Sequence, residues 1–258
     1  MAKKNIGIYS DLQSTANNKV EDLYLIVDEN SIVFNVKNNI TNEYIAFEQF
    51  ENGGDQKGWS GLIAYLQNNS KLIHHFYRNV FFVYNGSRVI LTKKQTQENT
   101  LSYQQELSFV HGIKEDEELY YNSINDQITI VYSIPDALSA LLSRTFPTGK
   151  WKHYATYVAA QKSQNETQLY LFTQQYCLHI IKDGSTQFLA YFPIESPEQN
   201  GYTILQVAKN ILKDLSGQTL RIWSNDNKES FIDMVAPYFE KTHVESSPHQ
   251  QFATYFIF

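Results

Sequence analysis

Leu23-Tyr-Leu-Ile-Val27, Ile32-Val-Phe-Asn-Val36 and Tyr44-Ile-Ala-Phe47 are three short apolar runs in quick succession, and the way they recur decides the fold. Asp28-Glu-Asn30 and Asn38-Asn39 separate them with side chains that hydrogen-bond back to their own backbone and so favour turns. Runs of this length between turn signals predict an antiparallel meander. After the break Asn52-Gly-Gly-Asp55, the residues Leu62, Ile63, Leu66, Leu72 and Ile73 keep helical spacing, which predicts a helix over Gly58–Leu72. Asn79-Val-Phe-Phe-Val-Tyr84 is the next strand. The same order returns in the second half: strands at Leu169–Phe172, Cys177–Ile181 and Phe188–Phe192, a helix over Tyr202–Leu212, then the strand Thr219–Ser224. The helix carries the clearest amphipathic stripe of the chain, Ile204, Leu205, Ala208, Ile211, Leu212 and Leu215. A strand-strand-strand-helix-strand order written twice predicts an α/β protein of two similar lobes, residues 1–148 and 149–258, with a cleft between them as the default ligand site.

The connecting stretches are read more coarsely. Residues 1–20 are polar and without periodicity, which predicts a loose arm. Asn85-Gly86-Ser87 reads as a reverse turn before the strand Arg88–Leu91, and a polar helix is expected over Gln95–Val110 with Leu101, Leu107 and Val110 inward. Lys114–Glu118 reads as an acidic exposed connection, followed by the strand Ile128–Tyr132. Pro135 precedes the helix Ala137–Leu142, where a missing amide hydrogen costs nothing. Asn225-Asp-Asn227 is placed to cap a helix over Glu229–Phe239, and Phe252–Phe258 is apolar enough for a buried last strand.

Composition narrows the function classes. Hydrophobic residues make up 42% of the 258, enough for a real core, and the 18 Tyr and 16 Phe suit a core boundary with rings inside and hydroxyls near water. The net charge of -6 argues against nucleic acid as partner, because displacing phosphate counterions takes a basic surface and Lys3-Lys4 and Lys93-Lys94 are too small to make one. The single cysteine, Cys177, permits no internal disulfide and no cysteine-only metal cage. No signal-peptide stretch and no apolar run of membrane-span length is present, so a cytoplasmic protein is expected.

Three segments carry a family resemblance: the amino-terminal meander, Val131-Tyr-Ser-Ile-Pro-Asp-Ala-Leu138, and Phe146-Pro147 with His153 and Thr156. Over nearly the whole chain the sequence resembles a bacterial domain-of-unknown-function family found mainly in Bacteroidetes. The resemblance implies a duplicated ribonuclease-H-like, actin-like ATPase fold, in agreement with the repeated element order. The family tends to carry an Asn-Ser-Phe-type stretch and an acidic-aromatic segment after the third strand of the second lobe; here that place holds Ala190-Tyr-Phe-Pro-Ile-Glu-Ser-Pro197.

Such a fold raises two chemistries, and the residues fit neither well. A working actin-like ATPase places an Asp- and Gly-containing turn after the first strand of each lobe, so that backbone amides approach phosphate. The first lobe offers Asp28-Glu29-Asn30-Ser31, with the Asp and no Gly; the second offers Thr173-Gln174-Gln175, with neither. Asp183-Gly184-Ser185 lies one hairpin later and reads as a reverse turn. Gly201 and Gly217 stand alone where an adenine-binding stretch would be. A ribonuclease-H-like nuclease needs converging carboxylates for two metal ions. Asp28 could be one, but the first helix carries no Asp or Glu, the strand after it ends in Asn85, and only Asp226 follows the matching strand of the second lobe. His74-His75 reads as a helix-terminal pair favoured by the macrodipole. Cys177 and His179 share a strand face and read as a buried thiol beside a half-buried imidazole rather than metal ligands or a nucleophile pair.

The expectation is therefore a non-catalytic scaffold or partner-binding protein, docking a protein partner through the inter-lobe groove or a sheet edge. Asp28 is the one weak catalytic candidate, and no cofactor or metal is assigned. The alternative is a divergent nucleotide-dependent phosphotransferase or phosphohydrolase using Asp28 in the cleft; small-metabolite sensing ranks third.

Overall fold

The computed structural model describes residues 3–9, 20–28, 31–51, 58–95, 99–224 and 229–245, with the side chains of 229–231 left aside. The chain forms two compact units, Met1–Arg88 with Thr92–Tyr154, and Val89–Leu91 with Ala155–Phe258.

The first unit is built on a six-stranded mixed sheet in the order β1-β4-β3-β2-β5-β9. The strands are β1 (Lys3–Tyr9), β2 (Glu21–Val27), β3 (Ser31–Asn38), β4 (Tyr44–Glu51), β5 (Asn79–Tyr84) and β9 (Lys150–His153). β2, β3 and β4 form the expected antiparallel meander, and β5 lies parallel to β2 on its other side, with β9 parallel to β5. β2 is buried along nearly its whole length, which is why it reads as a near-continuous apolar run. The helix α1 (Gly58–Asn69) makes the parallel crossover from β4 to β5 and buries Leu62, Ile63 and Leu66. A three-stranded sheet in the order β6-β8-β7 is formed by β6 (Val89–Lys93), β7 (Glu117–Ser123) and β8 (Ile128–Pro135), with helices α2 (Thr100–His111) and α3 (Asp136–Thr145).

The second unit repeats the plan. Its sheet runs β12-β11-β10-β13-β14, from β10 (Glu166–Leu171), β11 (Gln175–Lys182), β12 (Ser185–Pro193), β13 (Thr219–Ser224) and β14 (Lys241–Glu245). Again three strands form an antiparallel meander, a helix crosses over, and two parallel strands complete the sheet. The crossover is α5 (Pro197–Leu212), with Pro197 at its start and the Ser196 hydroxyl accepting from the Gln199 amide. Ile204, Ala208 and Leu212 of α5 join Leu169, Leu178, Ile180, Leu220 and Ile222 of the sheet in one apolar cluster. The short helices α4 (Tyr154–Ala159) and α6 (Glu229–Val235) complete the set. At Asp183-Gly184 both residues have positive φ, 51° and 73°, the conformation a two-residue hairpin turn requires and the reason glycine stands second.

Several expectations are corrected. Lys3–Tyr9 is not loose: it pairs antiparallel with β4 as an extra edge strand. The first helix ends at Asn69, so Leu72 and Ile73 are buried in the turn beyond it. His74 and His75 therefore do not sit on a helix end; the His75 Nε2 bonds Glu21 at 2.6 Å and the His74 Nε2 donates to the Gln67 carbonyl at 2.9 Å. α2 buries Tyr103 and Leu107, whereas Leu101 and Val110 face water. The acidic connection leads directly into β7, which the sequence reading lacks, along with β9 and α4. The expected boundary at 148/149 falls just before β9. The expected cap at Asn225–Asn227, Asp226 and the apolar Phe252–Phe258 lie outside the described residues.

Candidate functional site

Three parallel strands of the first unit, β2, β5 and β9, end side by side, and the carboxyl ends of parallel strands are where open α/β sheets bind ligands. Asp28 follows β2, Asn85 and Gly86 follow β5, and His153 ends β9. The hairpin from β2 to β3 is closed by the Asp28 amide donating to the Ser31 carbonyl at 3.0 Å. Asp28 is brought to its neighbours by backbone register: the Asn85 amide donates to the Val27 carbonyl at 2.9 Å. The Asn85 Nδ2 then donates to one carboxylate oxygen of Asp28 at 2.7 Å, and the Ser31 hydroxyl to the other at 3.1 Å. Both oxygens of the one carboxylate are thus engaged by neutral donors of this chain.

Among the described residues, the neighbours of His153 at this end are aromatic and neutral. His153 is fully buried, and its Nε2–H donates to the Gly86 carbonyl at 2.9 Å. Burial pushes its pKa down to about 3, outweighing the stabilising effect of that carbonyl on the imidazolium, so the ring is neutral near pH 7. Tyr84 and Tyr132 pack their rings against it, with centroids 6.1 and 5.1 Å away. A Cβ on Gly86 would run into the Tyr84 ring, so this glycine serves close packing.

The second unit places Phe172 where the first places Asp28. Its hairpin closes with the same bond, the Phe172 amide donating to the Gln175 carbonyl at 2.9 Å. Phe172 is buried, and Ser224 stands opposite Leu171 as Tyr84 stands opposite Val27. A working actin-like ATPase holds a nucleotide, and a triphosphate with its metal ion needs glycine-supplied amides and several convergent charges. Among the described residues of these two hairpins the one carboxylate is Asp28, bonded on both oxygens, with Phe172 in the matching place; Glu29 and Asn30 at the tip of the first hairpin lie outside the described residues. Among the described residues, no cluster of three His, Cys, Asp or Glu side chains is placed to hold a metal ion.

A polar chain crosses the sheet of the second unit on the face away from α5. Arg221 Nε donates to Glu166 at 2.7 Å and pairs also with Glu245. The Gln168 amide donates to Glu166, and its oxygen accepts from His179 Nδ1 at 2.8 Å and from the Tyr170 hydroxyl at 3.1 Å. The amide oxygen can only accept, so Nδ1 carries the proton and Nε2 accepts from the Thr186 hydroxyl at 2.9 Å. Burial lowers the His179 pKa to about 4. Tyr170 stacks on Trp223 at 4.3 Å and 6°. Cys177, on the same face, is buried, and desolvation pushes its thiol well above the ordinary range against the opposing influence of Tyr191. An inert thiol and a neutral, doubly bonded imidazole form a structural polar seam rather than a nucleophile pair.

The sequence reading found Asp28, Cys177 and His179 but not what holds them. Asn85 entered it as a turn residue and a missing acid, and Gln168 only as the start of the second meander. Their signal is positional, each standing directly beside a strand that the register pairs with its partner, and register is invisible before the sheet order is known.

Among the described residues no helix is long and apolar enough to cross a membrane. No curated protein matches the sequence. Among solved structures the chain is similar to a Bacteroides thetaiotaomicron VPI-5482 protein of actin-like ATPase fold and unknown function, with TM-score 0.81 and 13% identity over 95% of this chain and 98% of that one. It is similar also to the PilM–PilN type IV pilus biogenesis complex, with TM-score 0.51 and 10% identity over 93% of this chain and 96% of that one. The cytoplasmic domain of EpsL, an inner membrane component of the Vibrio cholerae type II secretion system, aligns at TM-score 0.45 and 16% identity over 78% of this chain and 80% of that one. At 13% and 10% identity the first two likenesses are ones of fold. Residues 11–242 match the family described as Protein of unknown function (DUF3822), and the chain belongs to that family, with an actin-like ATPase fold in two lobes.

Proposed function

We propose that this protein works by binding a protein partner, as a non-catalytic member of the actin-like fold. The observation that carries this reading is the state of the two equivalent hairpins. One presents a carboxylate engaged on both oxygens by Asn85 and Ser31, and the other presents the phenyl ring of Phe172. A site that grips phosphate needs free amides and unengaged charge in that place. The PilM–PilN structure is a precedent, at the level of fold, for such a scaffold working within a protein complex.

The second reading, a nucleotide-dependent phosphotransferase or phosphohydrolase, draws on one observation: Asp28 stands at the carboxyl end of the central strand. Thermal melting with Mg·ATP separates the two. A ligand at a hundred times its dissociation constant stabilises a protein by about 2.7 kcal/mol. The partner-binding reading expects no shift at millimolar nucleotide, and a saturable rise that disappears in Asp28→Ala would replace it with the enzymatic one.

A further inference from the structure

The crossover helix of the second unit carries a line of side chains that the core does not use. Ile204, Ala208 and Leu212 of α5 are buried against the sheet. Roughly a quarter-turn round the helix, Glu198, Tyr202, Leu205 and Lys209 recur at spacings of three and four residues and so lie in one line. Tyr202 is 67% exposed, Glu198 and Lys209 are exposed, and Leu205 is half-buried. Two contacts fix where this line runs. α6 packs against α5 at Gly201, where a Cβ would stand 3.5 Å from the Met234 Cβ. The Lys209 ammonium lies over the ring of Tyr238, 5.2 Å from its centroid, in the one-turn helix Ala236–Tyr238 that follows α6. The line therefore runs beside α6, flanked by Met234 and Tyr238, which are 36% and 49% exposed.

Glu198 and Lys209 are the only charged residues of α5, and they stand at opposite ends of this line. The helix macrodipole favours those signs at those ends, but it gives no reason for the exposed ring of Tyr202 and the half-buried Leu205 between them. A line with opposite ends is its own complement. Turning a second copy about an axis perpendicular to α5, midway between Thr203 and Ile204, sets Glu198 against Lys209 and Tyr202 against Leu205, and each pairing occurs twice. The two helices are then antiparallel, so their dipoles also attract. No uniformly charged partner fits as well: an acidic or a basic surface, or an anionic bilayer, is attracted at one end of the line and repelled at the other.

We propose that the chain self-associates through α5 as a two-fold dimer, the helices antiparallel, with Tyr202 on Leu205 of the second copy and Glu198 beside its Lys209 at both ends. The contact goes beyond the role proposed above and stands whichever reading of Asp28 holds. One helix from each copy makes a small interface, so the dimer forms at micromolar concentration or above rather than at nanomolar.

Sedimentation velocity on the intact chain, in a series from micromolar to near-millimolar concentration, tests it. The wild type should pass from monomer to dimer across the series. Glu198→Lys alone and Lys209→Glu alone should each weaken the dimer about tenfold or more, because one substitution sets like charges together at both ends of a two-fold contact. An equimolar mixture of these two variants should recover the dimer, since each repelling end then meets the opposite charge. Tyr202→Ser should weaken association about tenfold, the scale of losing a central aromatic anchor. All three positions are exposed, so unchanged melting temperatures should accompany the variants, and the mixture compares the same two folded chains with themselves. A monomer throughout the series, a dimer that Tyr202→Ser and both charge reversals leave intact, or a mixture no more associated than either variant alone would each overturn the inference.

Discussion

The outer edges of the two meanders are equivalent, and the chain treats them differently. In the first unit β4 is covered by β1, anchored through the buried Glu48, whose carboxylate accepts from Lys4, Tyr9, Ser70 and the Lys71 amide. These donors hold its pKa below the usual range although burial opposes them. In the second unit the hairpin and ladder registers set Ala190 in the place of Glu48, and among the described residues nothing pairs with the far side of β12. That edge is instead blunted by a register shift opposite Ile180 and Ile181 and by Pro193 at its end, devices that discourage a further strand. The hairpin tips diverge in the same way, Asp28 against Phe172. Apolar alternation has kept the shared plan, while each polar position has taken a partner of its own.

The largest effect should come from the edge that carries charge. Glu48→Ala leaves Lys4, Tyr9 and Ser70 without their acceptor and should cost about 3 kcal/mol in urea unfolding, the scale of breaking a buried ion pair, softened because Lys4 is partly exposed. Ala190→Gly, at the matching position, should cost about 1 kcal/mol or less. Near-equal losses would mean that β1 is not held by Glu48.

Each unit also seals one neutral imidazole, His153 in the first and His179 in the second. Their folded pKa values, about 3 and about 4, lie below the ordinary 6.5. Between those limits the unfolded chain binds protons that the folded chain refuses, so stability falls as pH drops below 6.5. From pH 7.5 to 5.5 each histidine should remove roughly 1.4 kcal/mol, about 2.5–3 kcal/mol together if the units unfold as one. His153→Asn should halve that slope, and an unchanged slope would show that this ring is not sealed.

Gln168→Leu removes the hub joining Glu166, Tyr170 and His179 and should cost about 2 kcal/mol, since buried partners are stranded. Asp28→Ala removes an ionised acceptor from two neutral donors at a half-buried tip and should cost about 1–2 kcal/mol. If Asp28→Ala proved stabilising, the carboxylate would be held under strain, as working sites often are.

Periodicity made the plan legible. Both meanders, both crossover helices and the strands after them could be read because each buries one face or both against a core. β9 and β7 escaped because Lys150-Trp-Lys-His153 and Glu117-Glu-Leu-Tyr120 carry charge at half-buried edges, where no alternation announces a strand. β1 escaped for a related reason: Lys4 looks like a solvent residue until Glu48, far along the chain, supplies its partner. The α2 surface was misread because Leu101 and Val110 have helical spacing yet face water, and spacing cannot tell a buried face from an exposed one. Asp28 was visible, but its engagement by Asn85 depends on the parallel pairing of β2 and β5.

Isothermal titration of Mg·ATP into the intact protein bears most directly on the claim that neither hairpin grips a nucleotide. The account predicts only heats of dilution, for wild type and Asp28→Ala alike. A saturable binding isotherm in the wild type that vanishes in Asp28→Ala would contradict it.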